Sequence, residues 1–326
     1  MKIKGVHEEE VKRFIEKTYQ LRIFSIAYHP HGENGASYFL ETDKGKFYAK
    51  VFAKSSEIYK SIRAIKIFIE FLYRIKDEDN FDYISVPIKN KNGNLISKFK
   101  GFPLVIEDFI SGKNPKKLLE KDYEEVGEII GKFQNINPKK FTKIKKDILD
   151  IKWESKILRL LNKYKKKKPT AGGEKELLKI LQLKKEILES AVSFLRKNVS
   201  KIRKREKEYV VVHEDLHKLN LLKTKDKIYL IDWEGLRLAL PERDLIWFRK
   251  ELGLNPFFKK QYEKFKKNKY KITPEIMKFY IVKRLLSDTT YFSQQVIDRQ
   301  ENYRESRGYI KEIQSEIQEL EETLKL

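Results

Sequence analysis

Residues 209–220 read Tyr209-Val210-Val211-Val212-His213-Glu214-Asp215-Leu216-His217-Lys218-Leu219-Asn220, and 228–234 read Ile228-Tyr229-Leu230-Ile231-Asp232-Trp233-Glu234. Two short, apolar, β-branched runs, 210–212 and 228–231, enclose one polar segment. Runs of that length and composition read as buried strands, so the polar segment is a loop between strands. Asp215 emerges at a strand end, Asn220 lies five residues further on, and Asp232 ends the returning strand. A strand–loop–strand hairpin gathers these three side chains around one space. Hard oxygen ligands suit Mg²⁺. Phosphoryl transfer needs such ligands, a carboxylate beside the attacking hydroxyl, and a lysine to orient the phosphates. His213 and His217 stand at i, i+4, which makes a metal pair only on a helix. Between strands, with no cysteine in the chain, His213 is instead read as hydrogen-bonding the adjacent backbone.

The lysine comes from upstream. A leading helix over 8–19 (Val11, Phe14, Ile15, Tyr19) precedes strand-like runs at 23–28, 37–42 and 46–52, with a hairpin turn at Asp43-Lys44-Gly45. These make an antiparallel meander whose third strand carries Ala49-Lys50-Val51. A helix at about 55–76, with Ile62, Ile65, Ile69 and Leu72 on one face, and strands near 95–99 and 102–108 follow. After Ser111-Gly112 the chain is helical except around 209–232. The segment His31-Gly32-Glu33-Asn34-Gly35-Ala36-Ser37 lacks GxGxxG. Gly32 and Gly35 suit a tight turn over phosphates, with Asn34 or Ser37 near them, or an ordinary hairpin turn.

At 326 residues and 39.0 kDa the chain is long enough for two domains or one bilobal unit. Hydrophobic residues are 40% and aromatics 12%, which excludes wholesale disorder. No cysteine means no disulfide framework, thiolate metal site or cysteine nucleophile. No apolar stretch follows the basic residues near Met1, and none approaches a membrane span, so a soluble, cytoplasmic protein is expected. The net charge is +23, and +12 of it (19 Lys+Arg less 7 Asp+Glu) lies between Lys152 and Glu208. There Lys165–Lys168 runs into Pro169-Thr170-Ala171-Gly172-Gly173, a turn between two basic helices, the second carrying Leu177 to Leu195. That surface is a solvated face or a docking site for an anionic partner, with nucleic acid not favoured. Ile310, Ile313, Ile317, Leu320 and Leu324 give an acidic terminal helix an apolar stripe. It packs on the large lobe, meets a second copy, or masks the basic hairpin.

His213-x-Asp215-x-His217-x-x-Asn220 followed by Ile231-Asp232-Trp233-Glu234 resembles the signature of the aminoglycoside phosphotransferase / choline kinase superfamily. These are small-molecule kinases with a protein-kinase-like fold, and the spectinomycin phosphotransferase-like members are the most similar. The resemblance runs over roughly residues 15–300. It implies an α+β, bilobal fold: a small antiparallel β-sheet N-lobe with one main helix (1–108) and a large, mostly helical C-lobe (109–326) that holds the basic insert at about 152–208. It implies ATP or GTP and Mg²⁺ as cofactors. Asp215 would be the base, Asn220 and Asp232 the metal ligands, and Lys50 the phosphate-orienting lysine. Glu57, or else Glu70, would be that lysine's helix-borne partner. Gly35 and Ser37 would lie near the phosphates, with Glu107, Phe109 and Ile231 at the nucleotide, the first two in the stretch whose backbone meets the base. His213 and Asp244, the latter in Leu240-Pro241-Glu242-Arg243-Asp244-Leu245, would brace the loop. The chain departs from the family at Glu214, Lys218 and Phe133-Gln134-Asn135, where relatives often carry a small residue, Pro and Leu-His.

The expected activity is ATP-dependent transfer to a hydroxyl of a small molecule, aminoglycoside- or aminocyclitol-like. Glu214, Glu234 and Glu242, with Asp244, Asp288 and Asp298, are the carboxylates that would meet a cationic acceptor. A kinase of an anionic or macromolecular acceptor (envelope sugar, protein, RNA) is the alternative, and a silent kinase-fold scaffold a third reading. The full set Lys50, Asp215, Asn220 and Asp232 argues against the scaffold.

Overall fold

Successive side chains of a strand point to opposite faces, which decides what each residue of the small sheet meets. The computed structural model describes residues 3, 5–30, 35–53, 62–166, 172–267, 270–298 and 303–326. The sequence readings of Gly32, Asn34, Glu57 and the Lys167–Ala171 turn fall outside these. The described chain divides into two compact units.

Unit 1 comprises residues 1–145, 213–237 and 260–267. Helix α1 (Glu8–Tyr19) leads into β1 (Ile23–His29), β2 (Gly35–Thr42) and β3 (Gly45–Phe52). Then come α2 (Ile62–Glu78), β4 (Ser97–Phe99), β5 (Phe102–Asp108) and α3 (Glu120–Phe133). The sheet order is β1-β2-β3-β5-β4, and each adjacent pair is antiparallel. One face of the sheet (Tyr38, Leu40, Phe47, Ala49, Val51, Leu104, Ile106) packs on Val11 and Ile15 of α1 as a continuous core. By the register Ser37↔Lys50↔Val105 and Phe39↔Tyr48↔Glu107, those six share the opposite face. Gly35 opens β2 because a Cβ there would run into the Val51 carbonyl of β3.

In unit 1, α2 buries Ile65, Ile69, Phe71 and Leu72. Phe71 and Phe133 close on Trp233 with ring centroids 6.2 and 5.1 Å from it. Strands β7 (Leu221–Lys223) and β8 (Ile228–Leu230) form the hairpin of the decisive segment, registered Leu221↔Leu230. The departure at Gln134 has a structural purpose. Its side chain accepts from Tyr262 Oη at 2.7 Å, and Asn135 Nδ2 donates to the Phe265 carbonyl at 2.7 Å.

Unit 2 comprises residues 146–212, 238–259 and 268–326. It holds α4 (Lys156–Lys166), α5 (Gly172–Leu183), α6 (Lys185–Lys204), β6 (Val210–Val212) and the Ala239 end of β9 (Arg237–Ala239). It also holds α7 (Glu242–Leu245), β10 (Arg249–Lys250), β11 (Gly253–Leu254), α9 (Pro274–Asp298) and α10 (Tyr303–Lys325). Helix α8 (Pro256–Phe265) passes to unit 1 from Lys260 onward. The single helix expected over 177–195 is two, because Lys184 leaves helical geometry (φ −103°, ψ 16°) with its ammonium 2.9 Å from Glu321 of α10. No Gly or Pro marks that break. Ile310, Ile313, Ile317 and Leu320 of α10 are buried within unit 2, chiefly against α9, so the apolar stripe is an internal seam. Inside unit 2, Lys283 and Glu154 form a buried ion pair at 2.6 Å. Among the described residues no helix is long and apolar enough to cross a membrane.

Candidate functional site

The loop that follows His213 is held from within. The His213 side chain is fully buried, with its ring 4.5 Å from that of Trp233. Its Nε2 lies 2.9 Å from the Ile231 carbonyl, which can only accept, so Nε2 carries the proton. Nδ1 then accepts from the Asp215 N–H at 3.4 Å. Burial pushes this imidazole below its ordinary pKa and keeps it neutral, against the pull of Asp215.

Asp215 Oδ2 receives Asn220 Nδ2 at 3.2 Å and lies 3.3 Å from His217 Nε2. Asn220 Nδ2 also donates to the Asp215 carbonyl at 2.7 Å. His217 Nδ1 accepts from the Leu219 N–H at 3.2 Å. The two histidines thus face different partners, and no group of three metal-ligating His, Cys, Asp or Glu occurs among the described residues. The β7–β8 ladder continues one step, Ile231 N–H donating to the Asn220 carbonyl at 3.0 Å. Asn220 and Asp232 are therefore neighbours across the hairpin mouth. Asp232 takes a left-handed backbone conformation (φ 65°, ψ 60°), as Glu214 does (φ 80°), at a cost of order 1–3 kcal/mol each. Strained non-glycine residues of this kind persist where the surroundings over-determine them.

Lys50 reaches this mouth from β3. Its ammonium pairs with Glu234 and stands 3.9 Å from Asp232 Oδ1. Burial opposes its charge, but Glu234 and Asp232 outweigh that and raise its pKa. Glu70 of α2, the alternative partner, lies instead against Lys66 at 3.5 Å and Lys143 at 3.8 Å. Ser37 is buried in β2, registered directly opposite Lys50. Beside Tyr48 the rings of His29, Phe39 and Phe109 assemble, with Phe39 to His29 at 4.6 Å, to Tyr48 at 5.5 Å and to Phe109 at 5.3 Å. Burial pushes the Glu107 carboxyl up to about 7, Asp232 and Asp108 adding to the rise and Lys50 opposing it.

The carboxylates read in the sequence as facing an acceptor each have a partner or a buried place within the chain. Glu234 is taken by Lys50. Glu214 is taken by Arg237, a closure that needs Gly235, where a Cβ would lie 2.9 Å from the His213 carbonyl. Glu242 is fully buried in unit 2, receiving Tyr270 Oη at 2.6 Å and the Thr273 N–H at 3.2 Å. Asp244 is likewise fully buried in unit 2. Asp288 pairs with Arg284 at 2.5 Å, and Asp298 accepts from Gln294 at 2.6 Å.

Sequence reasoning missed the brace on the loop's outer side. Asn114 Nδ2 donates to the Leu219 and Leu221 carbonyls at 2.7 and 2.9 Å, and Lys113 exchanges two backbone hydrogen bonds with Lys223. Only the position of Asn114, just after Ser111-Gly112, could have hinted at it.

The chain was compared with known proteins. Among curated proteins none matches it. Among solved structures it is similar to spectinomycin phosphotransferase in complex with ADP and spectinomycin, at TM-score 0.82 and 18% identity over 99% of this chain and 100% of that one. It is similar to the microcompartment-associated aminopropanol kinase at TM-score 0.68 and 14% identity, over 97% of each chain. With the choline kinase of Streptococcus pneumoniae the TM-score is 0.60 and the identity 14%, over 97% and 99%. These likenesses show the protein-kinase-like fold expected from the sequence. The family model described as "Phosphotransferase enzyme family" matches residues 25–268, well over half of the chain, which therefore belongs to that family and is a phosphotransferase.

Proposed function

We propose that this enzyme moves the γ-phosphoryl group of a purine nucleoside triphosphate, taken with Mg²⁺, to a hydroxyl of a small, nitrogen-bearing molecule such as an amino alcohol or aminocyclitol. The observation that carries it is the gathering of Asp215, Asn220, Asp232 and Lys50 within one unit.

Asn220 gives its amide nitrogen to Asp215, which turns its side-chain oxygen to the same mouth as Asp232. Two hard oxygen ligands completed by phosphate oxygens and water suit Mg²⁺. Bound there, the ion would offset charge on the phosphates. Lys50, its charge secured by Glu234, orients them. Asp215, one oxygen fixed by Asn220 and His217, accepts the acceptor's hydroxyl proton. As the new O–P bond forms, the bond from the γ-phosphorus to its bridging oxygen breaks and the nucleoside diphosphate leaves. The base lies on the ring cluster of Phe39, Tyr48 and Phe109, the backbone of 107–110 along its edge and Ile231 nearer the phosphates.

In this reading residues 1–108 serve the nucleotide, and 109–326 supply the catalytic loop and the acceptor site. His213 and Asp244 are structural, and Glu242 is an internal support, not an acceptor contact. The acceptor class rests on the relatives, whose names carry spectinomycin, aminopropanol and choline. Triphosphate supply assigns the reaction to the cytoplasm.

The test is a thermal-shift and turnover screen with Mg²⁺·ATP and Mg²⁺·GTP against aminocyclitols, amino alcohols, sugars and anionic metabolites. Stabilisation by nucleotide with transfer to a nitrogen-bearing alcohol is expected. Transfer confined to anionic acceptors would overturn the acceptor class. No nucleotide effect even with Mg²⁺ would overturn the catalytic reading.

A further inference from the structure

Glu214 stands between the buried His213 and Asp215, at a position where relatives often carry a small residue. The backbone supplies the reason. Its φ is 80°, in the left-handed region that glycine adopts freely and other residues adopt at a cost. A residue persists there only where its surroundings over-determine it. Here a guanidinium supplies the hold. Arg237 pairs with the Glu214 carboxylate, and the two side chains are only 20% and 17% exposed. Arg237 Nε also donates to the Gly235 carbonyl at 3.2 Å. The pair therefore ties the turn before Asp215 to the 233–235 turn after Asp232, itself left-handed at φ 65°. Gly235 lets the two turns close, since a Cβ there would stand 2.9 Å from the His213 carbonyl oxygen and 3.1 Å from Glu214 Cβ. All of these residues belong to unit 1. A charge-assisted pair largely withdrawn from water is stronger than a surface one, and removing one partner strands the other.

We propose that Arg237 is a positioning residue of the transfer step: through Glu214 it locks the left-handed turn that aims Asp215 and holds that turn beside Asp232. The proposal rests on the reading of Asp215 as the base and Asp232 as a metal ligand. The φ of residue 214 sets the direction in which the chain leaves it, and so where the Asp215 side chain starts. Released to the negative φ that a glutamate prefers, the turn swings the Asp215 carboxylate away from Asn220 and His217. A misplacement of about 1 Å at a reacting group costs about 100-fold in rate. In this role the pair acts on the rate of transfer, and Glu214 is not an acceptor contact.

The experiment measures ADP release from Mg²⁺·ATP with spectinomycin, aminopropanol and choline as acceptor probes, and with water alone, beside calorimetric Mg²⁺·ATP affinity. In Arg237→Ala, kcat should fall by about 10- to 100-fold while the Mg²⁺·ATP Kd and the acceptor KM stay within about threefold. Adding Glu214→Gly should restore kcat to within about threefold of the parent, because glycine takes positive φ unaided and leaves no stranded carboxylate. Adding Glu214→Ala instead should not restore it, because alanine removes the carboxylate and keeps the backbone cost. General damage to the fold is not repaired by glycine and left unrepaired by alanine at one position. Should Arg237→Ala fail to fold, the single variants decide: Glu214→Gly should keep kcat within about threefold, and Glu214→Ala should lose at least about tenfold. An unchanged kcat in Arg237→Ala, equal rescue by glycine and alanine, equal kcat in the two single variants, or a loss carried by the acceptor KM would overturn the proposal. Loss of turnover in Asp215→Asn in the same assay would then leave the kinase reading standing. Normal turnover in Asp215→Asn, or a parent that releases no ADP with any probe, would overturn the catalytic reading and the proposal with it.

Discussion

At the scale of single residues, the mouth of the β7–β8 hairpin shows how many contacts hold a few polar side chains in place. Asp215 is fixed through Oδ2 by Asn220 and His217 and through its backbone by the buried, neutral His213. Glu214 and Asp232, on either side of the site, both hold left-handed backbone conformations. Substituting Asp215→Asn keeps the shape and an acceptor oxygen for those bonds but removes the proposed base. Turnover should fall by about 10²–10⁴-fold, the range general-base catalysis supplies, while nucleotide affinity stays within about twofold. Single-turnover kinetics beside calorimetry would check this, and turnover within about tenfold of the parent would remove Asp215 from the mechanism. This is also the scale at which the sequence was least legible. Glu234, Glu214 and Glu242 are exposed-type residues in the chain, and nothing in their spacing reveals that Lys50, Arg237 and Tyr270 claim them. Those partners lie 184, 23 and 28 residues away.

At the scale of elements, the periodic signals were the readable ones. The alternation of β2 and β3 and the Asp43-Lys44-Gly45 turn gave the meander and put Lys50 on its third strand. The 3.6-residue stripe of α10 gave its buried seam. The break at Lys184 was not readable, because no Gly, Pro or other local breaker marks it. The α9–α10 seam carries a consequence for pH. Burial first, then Asp288 and Glu312, push Glu316 up to about 7 against the pull of Arg284 and Arg249. A carboxyl raised above its unfolded value of about 4.5 contributes most below that value, and the contribution is lost as pH rises through about 7. Glu316→Gln mimics the protonated form. It should therefore change stability little near pH 4.5 and stabilise by roughly 1–2 kcal/mol at pH 8, after allowance for partial exposure. Denaturant melts of both proteins at the two pH values would measure it. A gain that is equal at both, or larger at the acid end, would contradict the sign.

At the scale of the whole molecule, composition read correctly as charge but told nothing of its use. Fold and family were legible because His213-to-Asn220 and Ile231-to-Glu234 sit between strands that only one hairpin geometry satisfies, with Lys50 at the right place upstream. The acceptor was not legible, because no motif of fixed spacing in the chain marks a site for it. The +23 net charge, by contrast, has a consequence independent of any site. Like charges on one folded chain repel more than on an expanded one, so self-repulsion destabilises the compact state. Salt shortens the range of that repulsion, from about 30 Å at 0.01 M to about 8 Å at 0.15 M. Exposed ion pairs such as Lys46–Glu41 weaken in salt too, but each contributes about 1 kcal/mol or less. With 71 basic against 48 acidic residues, the unpaired excess should dominate. The thermal midpoint at pH 7, measured without nucleotide, should rise by a few degrees between about 20 mM and about 300 mM NaCl. Chloride is the anion of choice, since phosphate or sulfate would also occupy a phosphate site. A midpoint that is flat or falls with salt would mean that the local pairs, and not the excess charge, set the electrostatic balance of the fold.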